Sequence, residues 1–489
     1  MNIQVPTPLQ FRDLSNGIVQ KVDDKLAPKN CVNFSFNMRY DKTLGRASIR
    51  EGTALVGTQI VDAKSILGLH QFILSAGTKY QLAVINGASA SQIYRLESGT
   101  WTTTGADGVM TKDVYTRFLT YLDTVMALDG TLAKSSTDGT AWVATAGNLD
   151  IGNCPKGKFA IEWRDRVYVA GVSSALDRLY YSSIPTSGAI SWTAGNGYID
   201  VEPYEGQGAI TGLAKVPGYL LIFKERSLKR WNGSSTFPDD LTKIGSSSQE
   251  SIVLGSSTVF YFSASGKSSL GFYETNGETV RKISRPIQSI IEAISSSNYS
   301  TIAGFSDGEI VMWSVGDITY DGISYSNVVL LYHIESQTWA VLGFPTKFVF
   351  FQNYIDGTTL KIIGGNNDGE VIEIFTGTTD NYTDNSSLSI NYALQYHPND
   401  FGMRGNMKEI SSIVPYTKKG KDSQLSIRVD EAGSFNKYGC VIDDFETEIT
   451  ESSKGHIFEL RFDGSTKSGS LEIIGLDIIS PEINATINK

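Results

Sequence analysis

The stretch from Gly206 to Gly245 constrains the fold more than any other part of the chain. Three short apolar runs (Ile210 to Val216, Tyr219 to Phe223, Leu228 to Trp231) are separated by turn signals at Pro217-Gly218, Lys224 to Arg226 and Asn232-Gly233. A weaker fourth run follows at Leu241 to Ile244. Runs this short, rich in β-branched and aromatic residues and punctuated by Gly, Pro and Asn, read as strands in hairpins rather than helices. Four strands in about 40 residues make one small up-and-down sheet that cannot bury both of its faces alone. It needs neighbours of its own kind.

The chain supplies them. An apolar-aromatic strand, a Gly-containing turn and a short strand that often carries Trp recur from Ile93 to Trp101, Leu132 to Trp142 and Leu179 to Trp192. Further copies are Leu228 to Ile244, Phe272-Tyr273 with Asn276-Gly277, Leu331 to Trp339, and Val371 to Phe375 with Gly377. From Tyr94 to Ile372 their spacing averages roughly 46 residues, which suits four-stranded propeller blades. A second set of short inner strands repeats with them: Tyr80 to Ile85, Thr124 to Leu128, Arg166 to Val169, Tyr219 to Phe223, Thr258 to Phe262, Glu309 to Trp313 and Leu360 to Ile363. The period is broken by an insertion at Gly316 to Ser326. The pattern therefore predicts an all-β chain with a β-propeller, most simply of seven four-stranded blades, over residues 61–387. One helix is expected, from Arg285 to Ser295, with Ile287, Ile290, Ile291 and Ile294 at helical spacing.

The ends lack the repeat. Residues 1–60 read as an N-terminal arm and hairpin, in which Val32 to Tyr40 alternates as one half-buried strand and Ala47 to Arg50 returns after the turn at Asp41 to Gly45. Residues 388–489 hold longer alternating strands at Ile390 to Tyr396, Lys408 to Tyr416, Gln424 to Val429, Gly455 to Phe462 and Ser470 to Ile479. They read as a β-sandwich-like domain completed by the N-terminal arm.

Composition narrows function. A net charge of −10 argues against a dedicated nucleic-acid binder, although like charge suits a conduit to which DNA must not stick. Cys31, Cys154 and Cys440 are odd in number and widely spaced, which points to synthesis in a reducing cytoplasm. No secretion signal or apolar run of membrane-spanning length is visible. His70, His333, His397 and His456 lie at no metal-ligand spacing and read as structural.

Ser135 to Trp142 (SSTDGTAW) resembles the Asp-box turn of sialidase propellers but is one residue short and single, so the turn reading wins over a glycosidase. Asn366 to Glu370 and Asp307 to Glu309 read as turns rather than calcium loops. Lys418 to Lys421 reads as a solvated hairpin tip, with a phosphate contact as the alternative. No phosphate-binding loop, dinucleotide fingerprint or nucleophile elbow occurs. No catalytic, cofactor-binding or metal-binding residue is assigned, and the chain is not expected to be an enzyme.

The order of features resembles the β-propeller tail hub, nozzle or packaged-DNA-stabilisation proteins of short-tailed bacteriophages. The resemblance rests on Asn30 to Phe34 followed by Gly45-Arg46-Ala47 and Arg50-Glu51-Gly52, and on Phe159 to Val169, Leu179 to Ser182, Ile210 to Leu213, Leu220 to Phe223 and Leu228 to Trp231. It continues through Thr258 to Gly266, the Ile-rich segment Ile287 to Ile294, and the Trp339 blade followed by a sandwich. It covers most of the chain and rests on arrangement, not on catalytic residues.

The resemblance implies a structural protein of the virion tail, made in the host cytoplasm. Its partners would be copies of itself in a ring, often six, and the portal, adaptor or other tail proteins. Packaged DNA would pass through the lumen without sequence-specific binding. The rival expectation is a carbohydrate- or receptor-binding tail component displaying Trp101, Trp192, Tyr198 and Tyr204 on exposed loops. A propeller enzyme is the third reading.

Overall fold

The computed structural model describes residues 9–20, 27–28, 30–143, 147–202, 208–382, 387–401, 405, 407–418, 423–430, 434–441, 453–467 and 471–484. They form an all-β structure of many small antiparallel sheets. Ile210–Val216, Tyr219–Lys224, Leu228–Trp231 and Asp239–Thr242 pair in sequence order. The first turn works because Pro217 fixes its own φ while Gly218 takes φ +88°, which residues with a Cβ rarely adopt.

Six further small antiparallel sheets of three to five strands each share the up-and-down core of this one. Their first strands are Ile66–Ile73, Arg117–Tyr121, Phe159–Trp163, Val253–Leu254, Ala303–Ser306 and Phe348–Asp356. The fourth sheet begins with Ile210–Val216, so the chain runs through seven sheets in order. The recurring inner strands read from sequence are the second strands of these sheets, such as Lys79–Ile85 and Val259–Ser263. They are continuous apolar runs because successive side chains point to opposite faces and both faces are covered. On Thr124–Leu128, Val125 and Ala127 pack with Leu82 and Val84 of the first sheet, while Met126 and Leu128 pack with Val167 and Val169 of the third.

Apolar cores of this kind lie between each consecutive pair of sheets, and one more lies between the seventh and the first. There, Ala83 and Ile85 meet Val349, Ile363 and Val371. The amide of Gln71 seals the same seam: its Nε2 donates to Ile355 O at 3.0 Å and its Oε1 accepts from Ile355 N at 2.9 Å. The fourth strand of the seventh sheet comes from the other end of the chain. Thr53–Leu55, assigned from sequence to the N-terminal arm, pairs antiparallel with Val371–Ile374.

Beyond these sheets, the terminal segments make two larger ones. Phe34–Phe36, Ile390–Gln395, Phe458–Thr466, Gln424–Val429 and Asn436–Cys440 form a five-stranded sheet. Met38–Asp41, Arg46–Ile49, Glu472–Asn484, Met407–Lys418 and Ser453–Gly455 form the other, with Leu9–Phe11 added to Glu472–Asn484. Phe34, Leu394 and Phe462 from one share a core with Met38, Ile413 and Leu476 from the other.

Several expectations need correction. Val32 to Tyr40 is not one strand: Asn37 takes φ +58° and the chain crosses there from the five-stranded to the six-stranded sheet. Gly455 to Phe462 breaks likewise, because Asp430 Oδ1 accepts from the backbone N of His456 (2.7 Å) and Ile457 (2.8 Å) at the crossing. Local capping by a side-chain oxygen overrides the alternation of apolar residues. Trp192 does not pair with Leu179–Tyr181; that partner is Gly197–Asp200, and Trp192 lies buried in the preceding loop. The second sheet has three strands, with Ser135 and Val143 forming only a single bridge beyond them. The helix is shorter than expected, a 3₁₀ turn at Arg285–Ile287 and an α-helix at Gln288–Glu292.

The insertion at Gly316 to Ser326 lengthens a hairpin, Ile310–Tyr320 with Ile323–His333, past the edge of its sheet. Its tip reaches the five-stranded sheet. Tyr320 stacks on Phe34 with ring centroids 4.8 Å apart, Tyr325 lies 4.7 Å from Phe36, and Asp321 pairs with Arg428 at 2.8 Å.

Candidate functional site

Three places gather polar chemistry. The first is the space enclosed by the first strands. Arg117 sits there between two partners: its guanidinium pairs with Glu250 (Nε to Oε1 2.8 Å) and lies 4.8 Å from the Phe159 ring centre. Gln249 Oε1 accepts from Leu213 N at 2.7 Å, which fixes its amide across the middle. Beside these groups lies a cavity of about 240 Å³, bounded by Leu69, Thr116 and Phe350. A second cavity of about 350 Å³ opens beyond Gln249 and Ile252. Gln249 therefore lies between the two cavities, and the charges of Arg117 and Glu250 are paired beside it.

His70 belongs to the same region. Its ring stacks on Phe118 (centroids 5.4 Å) and Nε2 lies 2.7 Å from Thr120 Oγ1. Burial disfavours the charged ring and lowers its pKa to about 4. A folded-state pKa below the unfolded value means the unfolded chain binds the extra proton, so stability is present above about pH 6.5 and declines as pH falls toward 4. The ring keeps some solvent access, so the loss is expected to be about 1–2 kcal/mol. Urea titrations at pH 7 and pH 4.5 should show a larger difference in midpoint for the native chain than for His70→Asn.

The second place is the junction of the sheet array with the terminal sheets. Arg50 is 1 % exposed and uses every donor direction it has. Nη1 and Nη2 hold the two oxygens of Asp380 at 2.9 and 2.6 Å, Nε reaches Asn37 Oδ1 at 2.9 Å, and Nη2 also meets Gly343 O at 2.7 Å. Asn37 in turn donates to Asn391 O and accepts from Gly343 N, both at 2.7 Å. One guanidinium thus ties the arm, the sixth sheet and the segment entering the terminal sheets. A cleft of about 310 Å³ adjoins it.

The third place joins the third and fourth sheets. Lys224 and Lys229, both nearly buried, share Glu202; Lys224 also meets Asp177, and Lys229 meets Asp240 at 2.6 Å. Burial alone would raise the Glu202 pKa, but the two ammonium groups outweigh it and hold the carboxyl below its ordinary value.

Sequence candidates fall outside these places or into structural roles. Trp101 and Trp192 are buried, with Nε1 donating to Val56 O (2.9 Å) and Leu149 O (3.1 Å), so neither is displayed on a surface. Tyr198 is 53 % exposed and carries Arg178 over its ring at 3.7 Å; Tyr204 lies outside the described residues. In Ser135 to Trp142, Asp138 Oδ1 accepts from Thr140 N (2.8 Å) and Ala141 N (3.0 Å), which is a turn-closing arrangement. Asn366 Oδ1 and Asp307 Oδ1 each accept two backbone N–H groups at 2.9 Å, consistent with turns.

His333 Nδ1 accepts from Ser336 N at 3.4 Å, and His397 lies 3.5 Å from the buried Cys31 sulfur. Of Lys418 to Lys421 only Lys418 is described, 3.6 Å from Glu472. No group of three or more metal-ligating side chains occurs among the described residues. Arg117, Glu250 and Asp380 were missed from sequence, since 133 and 330 positions separate the paired groups. Arg50 had one visible signal, a charged residue ending an apolar alternation.

No family model matches the chain, and no curated protein matches it. Among solved structures it is similar to the extracellular domain of the putative hybrid two component system BT4673 from B. thetaiotaomicron. That match has a TM-score of 0.44 and 11 % identity, over 79 % of this chain and 47 % of that one. The AfRom2 CNH domain is similar with a TM-score of 0.38 and 11 % identity, over 66 % of this chain and 98 % of that one. The chain spans about half the length of the first of these. Likenesses this distant carry no functional argument.

Proposed function

We propose that the seven small sheets form a seven-bladed β-propeller, and that the chain is a structural tail protein of a short-tailed bacteriophage, of the hub or nozzle kind. The observation that carries the fold is the cycle of seven inter-sheet cores, sealed where Thr53–Leu55 supplies the outer strand of the last sheet. In this reading the terminal sheets form a sandwich, and Arg50 locks it to the propeller so that load passes from one body to the other.

The interior adds a constraint. With Arg117, Glu250 and Gln249 across its middle, one chain offers no passage for a nucleic-acid duplex along its own axis. The DNA channel then lies between copies in a ring, where a net charge of −10 per chain keeps phosphate from sticking. The phage assignment itself rests on the order of sequence features.

The test is location. Antibodies raised against the purified chain should label the tail vertex of virions, and the chain should be present in purified particles in a small fixed copy number. A protein confined to infected or uninfected cells and missing from virions would refute the assignment. The alternative of glycan binding has one observation in its favour, the exposed Tyr198 with its stacked Arg178. It requires binding on a glycan array that is lost in Tyr198→Ala.

A further inference from the structure

In an up-and-down sheet the turn joining strands one and two lies at the same end as the turn joining strands three and four. Contacts between neighbouring sheets show that these ends line up around the array. Ser75 donates to Asp123, Lys79 to Gly357 O at 2.6 Å, Lys215 to Glu162 at 2.6 Å, and Arg95 to Asp138 O at 2.9 Å. The terminal sheets meet the opposite end, through the hairpin tip at Tyr320 and Asp321. Most of the turn-bearing end is therefore clear of them; the hairpin turn at Asp41 to Thr43 reaches it only at the sixth sheet, beside Glu335 and Ser336.

This free end is acidic. Asp123, Asp138, Asp165, Glu278 and Glu309 are all exposed in its turns. None of these five forms an ion pair among the described residues; of the basic groups nearby, Lys215 is paired with a carboxylate, while Arg164 keeps its charge. Lys215 holds Glu162, and Arg164 lies over the Trp163 ring while donating to Asn232 O at 2.7 Å. Within the acidic rim the 350 Å³ cavity opens between the second, third, fourth and fifth sheets. Leu119, Ile161, Leu213, Ile252 and Leu254 line it, and Leu254 is 47 % exposed. The cavity has room for one large apolar side chain, and the surrounding field favours cations.

We propose that this end of the array docks a basic, extended segment of another protein, seating one bulky apolar side chain of that segment in the mouth at Leu254. Charge complementarity selects the partner: an acidic rim repels nucleic acid and acidic chains and draws in lysine- or arginine-rich ones. The apolar mouth adds an anchor that charge alone does not provide. This inference rests on the cavity and the turns, not on the phage assignment, and it can be tested on the isolated chain.

The probe is a labelled peptide, KKFKK, followed by fluorescence anisotropy. It should bind, with affinity falling by roughly tenfold or more between about 50 mM and 500 mM salt. KKGKK should bind at least about tenfold more weakly for want of the anchor, and EEFEE should not bind. Leu254→Lys and Asp165→Asn both alter exposed positions and should leave folding intact, as circular dichroism would verify. Leu254→Lys should remove the difference between KKFKK and KKGKK, and Asp165→Asn should reduce the salt dependence. Absence of KKFKK binding, equal binding of KKFKK and KKGKK, or unchanged binding in Leu254→Lys would each overturn the proposal.

Discussion

Arg50→Ala is expected to lower stability by about 3–5 kcal/mol, read as a fall in the urea midpoint. The substitution removes the partner of Asp380, whose side chain is 4 % exposed and would be left buried without its bidentate guanidinium. It also strips a donor from Asn37 and from Gly343 O, so three segments lose their common tie. Arg50→Lys should recover little, because a single ammonium cannot span both carboxylate oxygens and the two carbonyl-type acceptors. Replacing both charged groups, as Arg50→Met with Asp380→Leu, should cost less than Arg50→Ala alone, since no uncompensated charge is then buried. A loss below about 1 kcal/mol for Arg50→Ala would mean that the junction is held by apolar contacts instead.

Ala54→Pro is expected to cost about 2–4 kcal/mol, from a lost ladder hydrogen bond and displaced backbone. Ala54 lies opposite Glu373, two residues from the bond in which Val56 N donates to Val371 O at 2.8 Å, so its own N–H points into the seventh sheet. The consequence should be local at first. Amide exchange should accelerate in Phe348–Asp356 and Ile66–Ile73, the two strands on either side of the seam, before it changes in Ile210–Val216 across the array. Uniform exchange throughout, or none, would contradict a closure that depends on the N-terminal strand.

These two sites also mark where sequence reading stops. The sheets were legible because their second strands are bounded on both sides by turn residues. Tyr219–Lys224, between Pro217-Gly218 and Ser227, is a run that only a strand buried on both faces would carry. The terminal strands Ile390–Gln395, Met407–Lys418, Gln424–Val429 and Glu472–Asn484 were legible through length and alternation, whereas Asn436–Cys440 and the order in which the strands pair were not. Nor were the crossings at Asn37 and at His456 legible, because alternation continues through them and only the φ of Asn37 and the carboxylate cap from Asp430 reveal the break.

Trp192 misled because indole recurs in these sheets as a loop anchor, donating to a backbone carbonyl, as well as within strands. Thr53–Leu55 is too short to register as a strand, and its partner lies more than three hundred positions later. Nothing local announces Arg117 as an ion-pair centre, and Arg50 shows only as a charge ending an apolar alternation, since each finds its carboxylate only through the fold.

The most direct test is a density map of the assembled protein by electron cryo-microscopy. The expected map shows seven sheets radiating from one filled axis in every copy, Thr53–Leu55 outermost in the last sheet, and several copies surrounding a wider lumen below the portal. Sheets stacked in an open row, or an assembly whose only passage runs through the middle of a single chain, would contradict it.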